Sequence, residues 1–168
     1  MLVEYLSSRM KVSEVEIFDA GCGTGLVGQE LGKLGATIID GCDISDKMRD
    51  INQGTGAYRS LSSIDLSGFA TLLDLKYDPV ICVGTMTQGN VGREAFLDLY
   101  RLTKPKGIIL VTIRDSVWER NGYEDYVNHM VRTGMVKLTS NTKKPQRIAA
   151  GVKARFVVLE SMSDECTM

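Results

Sequence analysis

The sequence has a single histidine, His129, and its four cysteines are Cys22, Cys42, Cys82 and Cys166, with no CxxC pair. Structural zinc sites need clustered ligands of these two types, and disulfide frameworks need paired cysteines in a small exported chain. The chain therefore predicts neither a metal site nor a set of disulfide bonds. We expect reduced thiols in a cytoplasmic protein.

Long apolar runs and an excess of one charge are also missing. The longest nearly unbroken apolar run, Ile108 to Ile113, has the length of a strand and is far short of the roughly 20 residues that span a bilayer. The formal net charge of -1 provides no overall field that would draw the protein to nucleic acid or to an anionic membrane. The first residues lack the basic and then apolar pattern of a signal peptide. We therefore expect no transmembrane helix and no nucleic-acid partner.

The composition is that of an ordinary globular domain. Of the 168 residues, 43% are hydrophobic and 24% are charged, which is enough apolar material to bury a sizeable core. No internal repeat, low-complexity stretch or linker rich in Pro, Gly or Ser divides the chain. We therefore expect one domain over residues 1–168.

Apolar runs rich in β-branched residues alternate with segments of helical periodicity, which is typical of βα units that build a parallel sheet. The sequence predicts seven strands, at Val15 to Ala20, Ala36 to Cys42, Ala57 to Leu61, Pro79 to Val83, Gly107 to Ile113, Met135 to Ser140 and Val152 to Leu159. It predicts helices at Gly25 to Leu34, Ser45 to Gln53, Gly68 to Leu75, Arg93 to Thr103 and Glu119 to Thr133. The predicted fold class is α/β.

The sixth and seventh predicted strands have no helix between them. Their connection, NTKKPQRIAAG, is polar and contains Pro and Gly, so we expect an antiparallel hairpin at one edge of the sheet. Its cations Lys143, Lys144 and Arg147 would either contact an anionic substrate or be solvated and protect an edge strand.

The most informative segment is IFDAGCGTG, from Ile17 to Gly25, a short strand followed by three alternating glycines and a predicted helix. Glycines at Gly21, Gly23 and Gly25 lack the Cβ atoms that would hold a ligand away from the backbone, and they allow the positive φ of a tight turn. The segment predicts a loop that a ligand approaches closely.

Two ligand classes fit such a loop. The hexapeptide GTGLVG, from Gly23 to Gly28, satisfies the G-x-G-x-x-G pattern of dinucleotide-binding proteins and indicates an NAD-dependent oxidoreductase. Asp19 opposes that interpretation, because a carboxylate just before the loop would repel a pyrophosphate and attract a cation. S-adenosylmethionine carries a sulfonium and an ammonium group and no phosphate, so Asp19 favours this cofactor.

Two further acids follow the next predicted strands. Asp43 ends the second strand and is placed to accept hydrogen bonds from both hydroxyls of a ribose, although a nicotinamide enzyme places an acid there for the same reason. A helix N-cap ahead of Ser45 is the structural alternative for Asp43. Asp65, with Leu66, would either meet an adenine or serve as a turn residue.

These segments carry a family resemblance. DAGCGTG, DGCDIS, DPVICVGTMTQGN and LTKPKGIILVTIR look like the successive motifs of the class I, seven-stranded S-adenosylmethionine-dependent methyltransferases, from about Val15 to Leu159. Within that superfamily, GLVGQEL, VGTMTQGNV and TKPKG are most similar to the methyltransferase-like protein 27 group of the Williams-Beuren region. The resemblance implies a Rossmann-like sheet in the order 3-2-1-4-5-7-6, with strand 7 antiparallel and helices on both faces.

The resemblance also implies where a cofactor and an acceptor would bind. S-adenosylmethionine, or the product S-adenosylhomocysteine, would contact residues at the ends of the first four strands: Asp19, Gly21, Cys22, Gly23, Gly25, Asp43, Ile44, Met48, Asp65, Leu66, Val83, Gly84 and Thr85. The methyl acceptor, a small molecule or an unidentified protein site, would contact Met86, Gln88, Arg114 and Trp118.

Methyl transfer from such a cofactor is a direct displacement at an activated carbon, so it requires no catalytic dyad, and no catalytic residue is assigned. After the fourth strand the sequence reads GTMTQGN. It lacks the [DN]PP[YF] pattern of amino-group methylation on bases or glutamine, and it lacks the Pro-Cys nucleophile that methylates cytosine. These acceptors are disfavoured.

Complete class I enzymes usually carry helices ahead of the first strand that cover the cofactor, whereas here only Leu2 to Arg9 would supply such a helix. We therefore expect an open cofactor cleft and exposed apolar surface that invites a homodimer or a partner protein. A binding module that keeps the fold without turnover is the non-enzymatic alternative.

Overall fold

The computed structural model describes residues 2–66, 77–86, 91–147 and 152–162. Within these ranges one sheet contains β1 (Glu16–Ala20), β2 (Ile38–Cys42), β3 (Ser60–Ser62), β4 (Val80–Met86), β5 (Ile108–Arg114), β6 (Val136–Arg147) and β7 (Val152–Ser161). The helices of the same ranges are α1 (Leu2–Arg9), α2 (Leu26–Lys33), α3 (Asp46–Gln53), α4 (Ala95–Leu102), α5 (Asp115–Arg120) and α6 (Tyr123–Arg132). A 3-10 turn at Val12–Glu14 leads into β1.

The strand order is β3-β2-β1-β4-β5-β7-β6. Strands β1 to β5 pair in parallel, and β7 is antiparallel to both of its neighbours, β5 and β6. This confirms the α/β class and the sheet order that the resemblance implies. The chain reverses its direction of winding between β1 and β4, which is where ligands of doubly wound sheets bind.

The central strands β1, β2, β4 and β5 are mostly buried on both faces of the sheet, which explains why they read as nearly continuous apolar runs. In β5, Ile109 and Val111 belong to one apolar cluster and Leu110 belongs to the other, because successive side chains of a strand point to opposite faces. Helices α4, α5 and α6 cover the first face, and α1 and α2 cover the second. None of the helices in the described ranges has both the length and the apolar character needed to cross a bilayer.

The helix predicted at Glu119 to Thr133 contains the last two residues of α5 and the whole of α6 in the structure. Gly122 lies between them with φ of +66°, a left-handed conformation that interrupts helical hydrogen bonding. Apolar periodicity continues across this break, since Trp118 and Tyr123 on its two sides are both buried in the same core. The helix predicted at Gly68 to Leu75 lies outside the described residues.

The predicted antiparallel hairpin of β6 and β7 is confirmed, but its strands are longer than predicted. Residues 142–144, expected in the connection, pair with residues 154–156 of β7. Asp115 of α5 accepts from Lys143 Nζ at 2.9 Å and from Arg155 Nε at 2.8 Å. Lys143 is therefore ion-paired with Asp115. Both ion pairs join the added length of β6 and β7 to α5.

Helix α1 packs against the second face of the sheet and contributes no residue to the cleft described below. Leu2 and Leu6 are buried in the same cluster as Leu31 of α2, and the ring of Tyr5 makes an edge contact with Phe156 at 5.6 Å between centroids. The segment that was expected to supply a cover for the cofactor is therefore a part of the core.

We predict that Leu6→Ala lowers the free energy of unfolding by about 2–5 kcal/mol, because a fully buried leucine leaves a cavity when it is truncated. Denaturant unfolding followed by circular dichroism measures this change. Leu34→Ala, at a side chain that is 45% exposed, is the control and should change stability by less than about 1 kcal/mol. Equal losses in the two variants would show that α1 does not pack as described.

Candidate functional site

The carboxyl ends of β1, β2 and β4 meet at one edge of the sheet, because these strands are parallel neighbours. A cleft of about 900 Å³ lies there, a volume within the range of small-molecule sites. Its described lining residues are Asp19, Gly21, Cys22, Gly23, Thr24, Leu26, Val27, Asp43, Ile44, Ser45, Met48, Ile64, Asp65, Leu66, Val83, Gly84, Thr85 and Val91. The cleft thus lies at the point where the order of the strands reverses.

The cleft brings together all of the residues predicted to contact a cofactor except Gly25. A Cβ atom at Gly25 would lie 2.4 Å from Asn52 Oδ1, so this glycine makes room for a protein side chain. Several other lining residues were not predicted from the sequence: Thr24, Leu26, Val27, Ser45, Ile64 and Val91. Most of these are apolar or small, and such residues carry no chemical signal that separates cleft walls from core.

Two glycines of the loop serve different purposes. Gly21 and Gly23 both have positive φ, of +75° and +53°. A Cβ atom at Gly21 would lie 2.1 Å from Thr85 Oγ1, so this position must be glycine for β4 to approach the loop. A Cβ atom at Gly23 would meet nothing within 4 Å, and the open space beside it belongs to the cleft. Gly23 is therefore the glycine that leaves room for a ligand.

Three successive backbone N–H groups of the loop donate to other parts of the protein. Gly21 N and Cys22 N both donate to the carbonyl oxygen of Cys42 at 2.8 Å. Gly23 N donates to Asp43 Oδ2 at 3.0 Å. These donors are consequently engaged before any ligand binds, whereas a phosphate-binding loop presents such groups to its anion.

The carboxylate of Asp43 links the loop to α3. Its Oδ2 accepts from Gly23 N, and its Oδ1 accepts from Ser45 N at 2.9 Å. Each carboxylate oxygen keeps further lone pairs, so two ribose hydroxyls could still donate to it. The N-cap of α3 is Ser45, whose Oγ accepts from Met48 N at 3.4 Å, so Asp43 is not the cap of this helix.

Asp19 is the most buried acid of the cleft, with 1% of its surface exposed. Burial raises its pKa to about 6, the hydrogen bond from Tyr58 opposes that rise, and the nearby charge of Asp43 adds to it. Tyr58 Oη donates to Asp19 Oδ2 at 2.6 Å. Asp19 is therefore ionised at neutral pH at a cost in free energy that a cationic ligand would offset.

Asn52 of α3 is fully buried against the loop and was not singled out from the sequence. Its Nδ2 donates to Cys22 Sγ at 3.2 Å and to Gly23 O at 3.3 Å, while its Oδ1 makes no hydrogen bond with the described residues. Burial and the charge of Asp19 raise the pKa of the Cys22 thiol to about 12. Cys22 is thus protonated at neutral pH and is not an activated nucleophile.

Apolar side chains form the outer rim of the cleft. Ile44 is 63% exposed and Met48 is 41% exposed, on either side of the start of α3, and Leu26 is 70% exposed at the start of α2. Leu66 is buried on the opposite side, next to the exposed Asp65. The rim therefore offers apolar surface to a flat, uncharged ring.

The described residues predicted to contact an acceptor lie at the ends of β4 and β5 and in α5, and only one of them is exposed. Met86 and Trp118 are almost fully buried, and the indole of Trp118 stacks on Tyr123 at 6.0 Å between ring centroids. Arg114 is exposed at the end of β5, and Gln88 lies outside the described residues. Trp118 therefore packs in the core with Tyr123 and does not line the cleft.

Residues 18–111, more than half of the chain, match the methyltransferase domain family. Methyltransferase-like protein 27 of Homo sapiens is 37% identical over 102 residues, which are 60% of this chain and 41% of the human protein. Ubiquinone biosynthesis O-methyltransferase of Rickettsia bellii is 26% identical over 117 residues, which are 66% of this chain and 47% of that enzyme. The chain thus spans less than half of the length of these relatives.

Among solved structures, magnesium protoporphyrin IX methyltransferase from Synechocystis PCC 6803 with bound S-adenosylmethionine is similar, with a TM-score of 0.74. That likeness covers 95% of this chain and 76% of the other chain at 19% identity, so it is evidence of the fold. The expected similarity to methyltransferase-like protein 27 is confirmed. The chain therefore belongs to the methyltransferase domain family and has the fold of the class I S-adenosylmethionine-dependent methyltransferases.

Proposed function

We propose that this protein binds S-adenosylmethionine in the cleft and transfers its methyl group to a small molecule or to a site on another protein. The proposal rests on one observation: N–H donors of the loop are already engaged within the protein, whereas carboxylate acceptors line the open space of the cleft. The N–H groups of Gly21, Cys22 and Gly23 donate to the protein itself, while the carboxylates of Asp19 and Asp43 line the open space. Such a site favours a ligand that brings positive charge and hydroxyl donors.

The residues present fit the cationic groups, the ribose and the adenine of S-adenosylmethionine. Asp19 would attract the cationic methionine end, and Asp43 has acceptor capacity left for the ribose hydroxyls. The open side of Gly23 leaves space between these two acids. Ile44 and Met48 offer the exposed apolar surface that an adenine ring would cover.

A dinucleotide is a poorer match to the same cleft. The literal G-x-G-x-x-G pattern places Gly28 where a dinucleotide-binding protein needs close packing of helix and strand. Here a Cβ atom at Gly28 would lie 2.3 Å from the ring of Tyr58, so this glycine makes room for a tyrosine. The buried charge of Asp19 would also repel a pyrophosphate.

When bound, S-adenosylmethionine supplies a methyl group on a positively charged sulfur, so the donor needs no activation by the protein. The protein would contribute alignment and exclusion of water. Gly84 and Thr85 line the cleft at the end of β4, and Thr85 Oγ1 donates to Gly21 O at 3.1 Å. This bond fixes the end of β4 against the loop, so that the acceptor side of the cleft is held in place.

The acceptor would approach over the ends of β4 and β5. Arg114 is the exposed cation at the end of β5 and is our candidate for contact with the acceptor. Met86 and Trp118 are buried in the core, so we propose for them a supporting role beneath this surface.

Calorimetric titration of the purified chain with S-adenosylmethionine, S-adenosylhomocysteine and NAD tests the proposal. We expect binding of the first two ligands and none of NAD. Transfer of a labelled methyl group to the small-molecule or the protein fraction of a cell extract then assigns the acceptor class. Binding of NAD alone would refute the proposal, and binding without transfer to either fraction would favour the non-enzymatic module.

We predict that Asp43→Ala weakens S-adenosylmethionine binding by about 1–3 kcal/mol, because the ribose hydroxyls lose a charged acceptor. Titration calorimetry measures the change in Kd. Asp50→Ala is the control: it removes an exposed carboxylate from α3, the helix that follows Asp43, and should leave Kd unchanged. An unchanged Kd in Asp43→Ala would remove Asp43 from the site.

We predict opposite effects of Asp19→Asn on stability and on binding. The pKa of Asp19 is raised from 3.8 to about 6 in the folded chain, so the folded chain holds this proton more tightly than the unfolded chain does. The free energy of unfolding therefore falls as the pH rises from 3.8 to about 6, and the loss persists at neutral pH. Asp19→Asn should therefore stabilise the unliganded protein at pH 7 by up to about 3 kcal/mol and should have no advantage below about pH 4. Its affinity for S-adenosylmethionine should fall.

Denaturant unfolding at a series of pH values, with Asp50→Asn as the exposed control, measures the effect on stability. The control should follow the wild type at every pH. A variant at Asp19 that is less stable than the wild type at pH 7 would contradict the prediction.

A further inference from the structure

Tyr58 connects the buried acid of the cleft to the start of α2. It lies between α3 and β3, far from the glycine loop in sequence. Its hydroxyl donates to Asp19 Oδ2 at 2.6 Å and accepts from the backbone N–H of Gly28 at 3.0 Å. The two bonds fix the position of the hydroxyl, so the proton of Tyr58 is directed at the carboxylate.

Two glycines leave space for the ring of Tyr58. A Cβ atom would lie 2.3 Å from the ring at Gly28 of α2 and 2.9 Å from it at Gly41 of β2. Both distances are shorter than any ordinary van der Waals contact, so no other residue fits at either position without displacement of the ring. The tyrosine is therefore seated between a helix and a strand, with only its hydroxyl directed at Asp19.

We propose that Tyr58 is a positioning residue that orients the Asp19 carboxylate and keeps it ionised, and that it thereby sets the lower pH limit for binding of a cationic cofactor. This inference rests on the proposed function, since it assigns Asp19 to the methionine end of S-adenosylmethionine.

The surroundings of Asp19 make this single bond important. Burial and the charge of Asp43 both raise the pKa of Asp19, and Tyr58 is its one hydrogen-bond donor among the described side chains. The other titratable groups that face it are thiols from the loop, β2 and β4, whose pKa values are raised by burial, and these are Cys22, Cys42 and Cys82. None of these groups supplies positive charge, so within the described part of the chain only Tyr58 opposes protonation of the acid.

The N–H of Gly28 strengthens the effect of the hydroxyl. Gly28 lies in the first turn of α2, where backbone N–H groups lack partners within the helix. Its bond to Tyr58 polarises the hydroxyl toward Asp19, because hydrogen bonds in a chain reinforce one another. The partial positive charge of the helix start is thus relayed to the buried carboxylate.

Tyr58→Phe tests the proposal, because the phenyl ring retains the packing and only the hydroxyl is lost. The Kd for S-adenosylmethionine is measured from about pH 5.5 to 8.5 in the variant and in the wild type. Ionisation of the cofactor affects both Kd values equally, so the ratio of the two Kd values at each pH reports only on the protein. We expect the variant to bind about three- to tenfold more weakly at pH 6 and almost equally at pH 8.5, since Asp19 regains its proton at a higher pH.

Tyr77→Phe is the matched control. Tyr77 Oη donates to Asp40 Oδ2 at 2.8 Å, so this variant also removes a tyrosine hydroxyl from a buried aspartate, but Asp40 does not line the cleft. The ratio of the Kd of Tyr77→Phe to the Kd of the wild type should stay near one at every pH. Adenosine, which lacks the methionine end, should bind Tyr58→Phe and the wild type equally across the range.

A second readout follows Asp19 directly in the unliganded protein. The carboxyl carbon of Asp19, assigned by its absence in Asp19→Asn, is titrated by NMR in the wild type and in Tyr58→Phe. We expect the titration midpoint to move upward in Tyr58→Phe. An unchanged midpoint, a Kd ratio that is the same at all pH values, or failure of Tyr58→Phe to fold would overturn the proposal.

The two proposals fail in different ways. If the wild type binds neither S-adenosylmethionine nor S-adenosylhomocysteine at any pH, the proposed function fails and this inference falls with it. If the wild type binds both ligands, and Asp19→Asn weakens binding of S-adenosylmethionine while Tyr58→Phe leaves the pH profile unchanged, only the role of Tyr58 is refuted.

Discussion

The buried carboxylate of Asp19, which is 1% exposed at the end of β1, is the constraint on which the rest of the cleft depends. An ionised acid in this position is costly unless a donor or a cation compensates it. Among the described residues Tyr58 is the side chain that donates to Asp19, and the N–H groups of Gly21, Cys22 and Gly23 donate elsewhere. A cationic ligand would supply the remaining compensation, whereas a phosphate would be repelled.

The glycine loop is held in place from three sides. The carbonyl of Cys42 on β2 accepts two of its N–H groups, Thr85 at the end of β4 donates to the carbonyl of Gly21, and Asn52 of α3 donates to the carbonyl of Gly23. A loop so anchored presents a fixed surface to its ligand, so that little conformational entropy is lost on binding. Direct displacement of a methyl group depends mainly on such alignment.

Much of the fold could be predicted because the evidence for it is local. Runs such as Ile108 to Ile113 are buried on both faces of the sheet, and so they read as strands without reference to the rest of the chain. The glycine loop and Asp19 form one short motif for the same reason. The break at Gly122 was not predicted, because the apolar pattern continues on both sides of it. The length of β6 was not predicted, because the ion pairs of Asp115 with Lys143 and Arg155 join distant segments.

The sequence by itself determined the α/β class, the place of the cleft at the end of β1 and the three acids that line it, Asp19, Asp43 and Asp65, because periodicity and short motifs are properties of neighbouring residues. Only the tertiary structure decided that α1 packs in the core, that Trp118 is buried, and that Tyr58 meets Asp19 across 39 positions of sequence. Such contacts depend on how helices and strands are brought together, and side chains far apart in the chain carry no local sign of them.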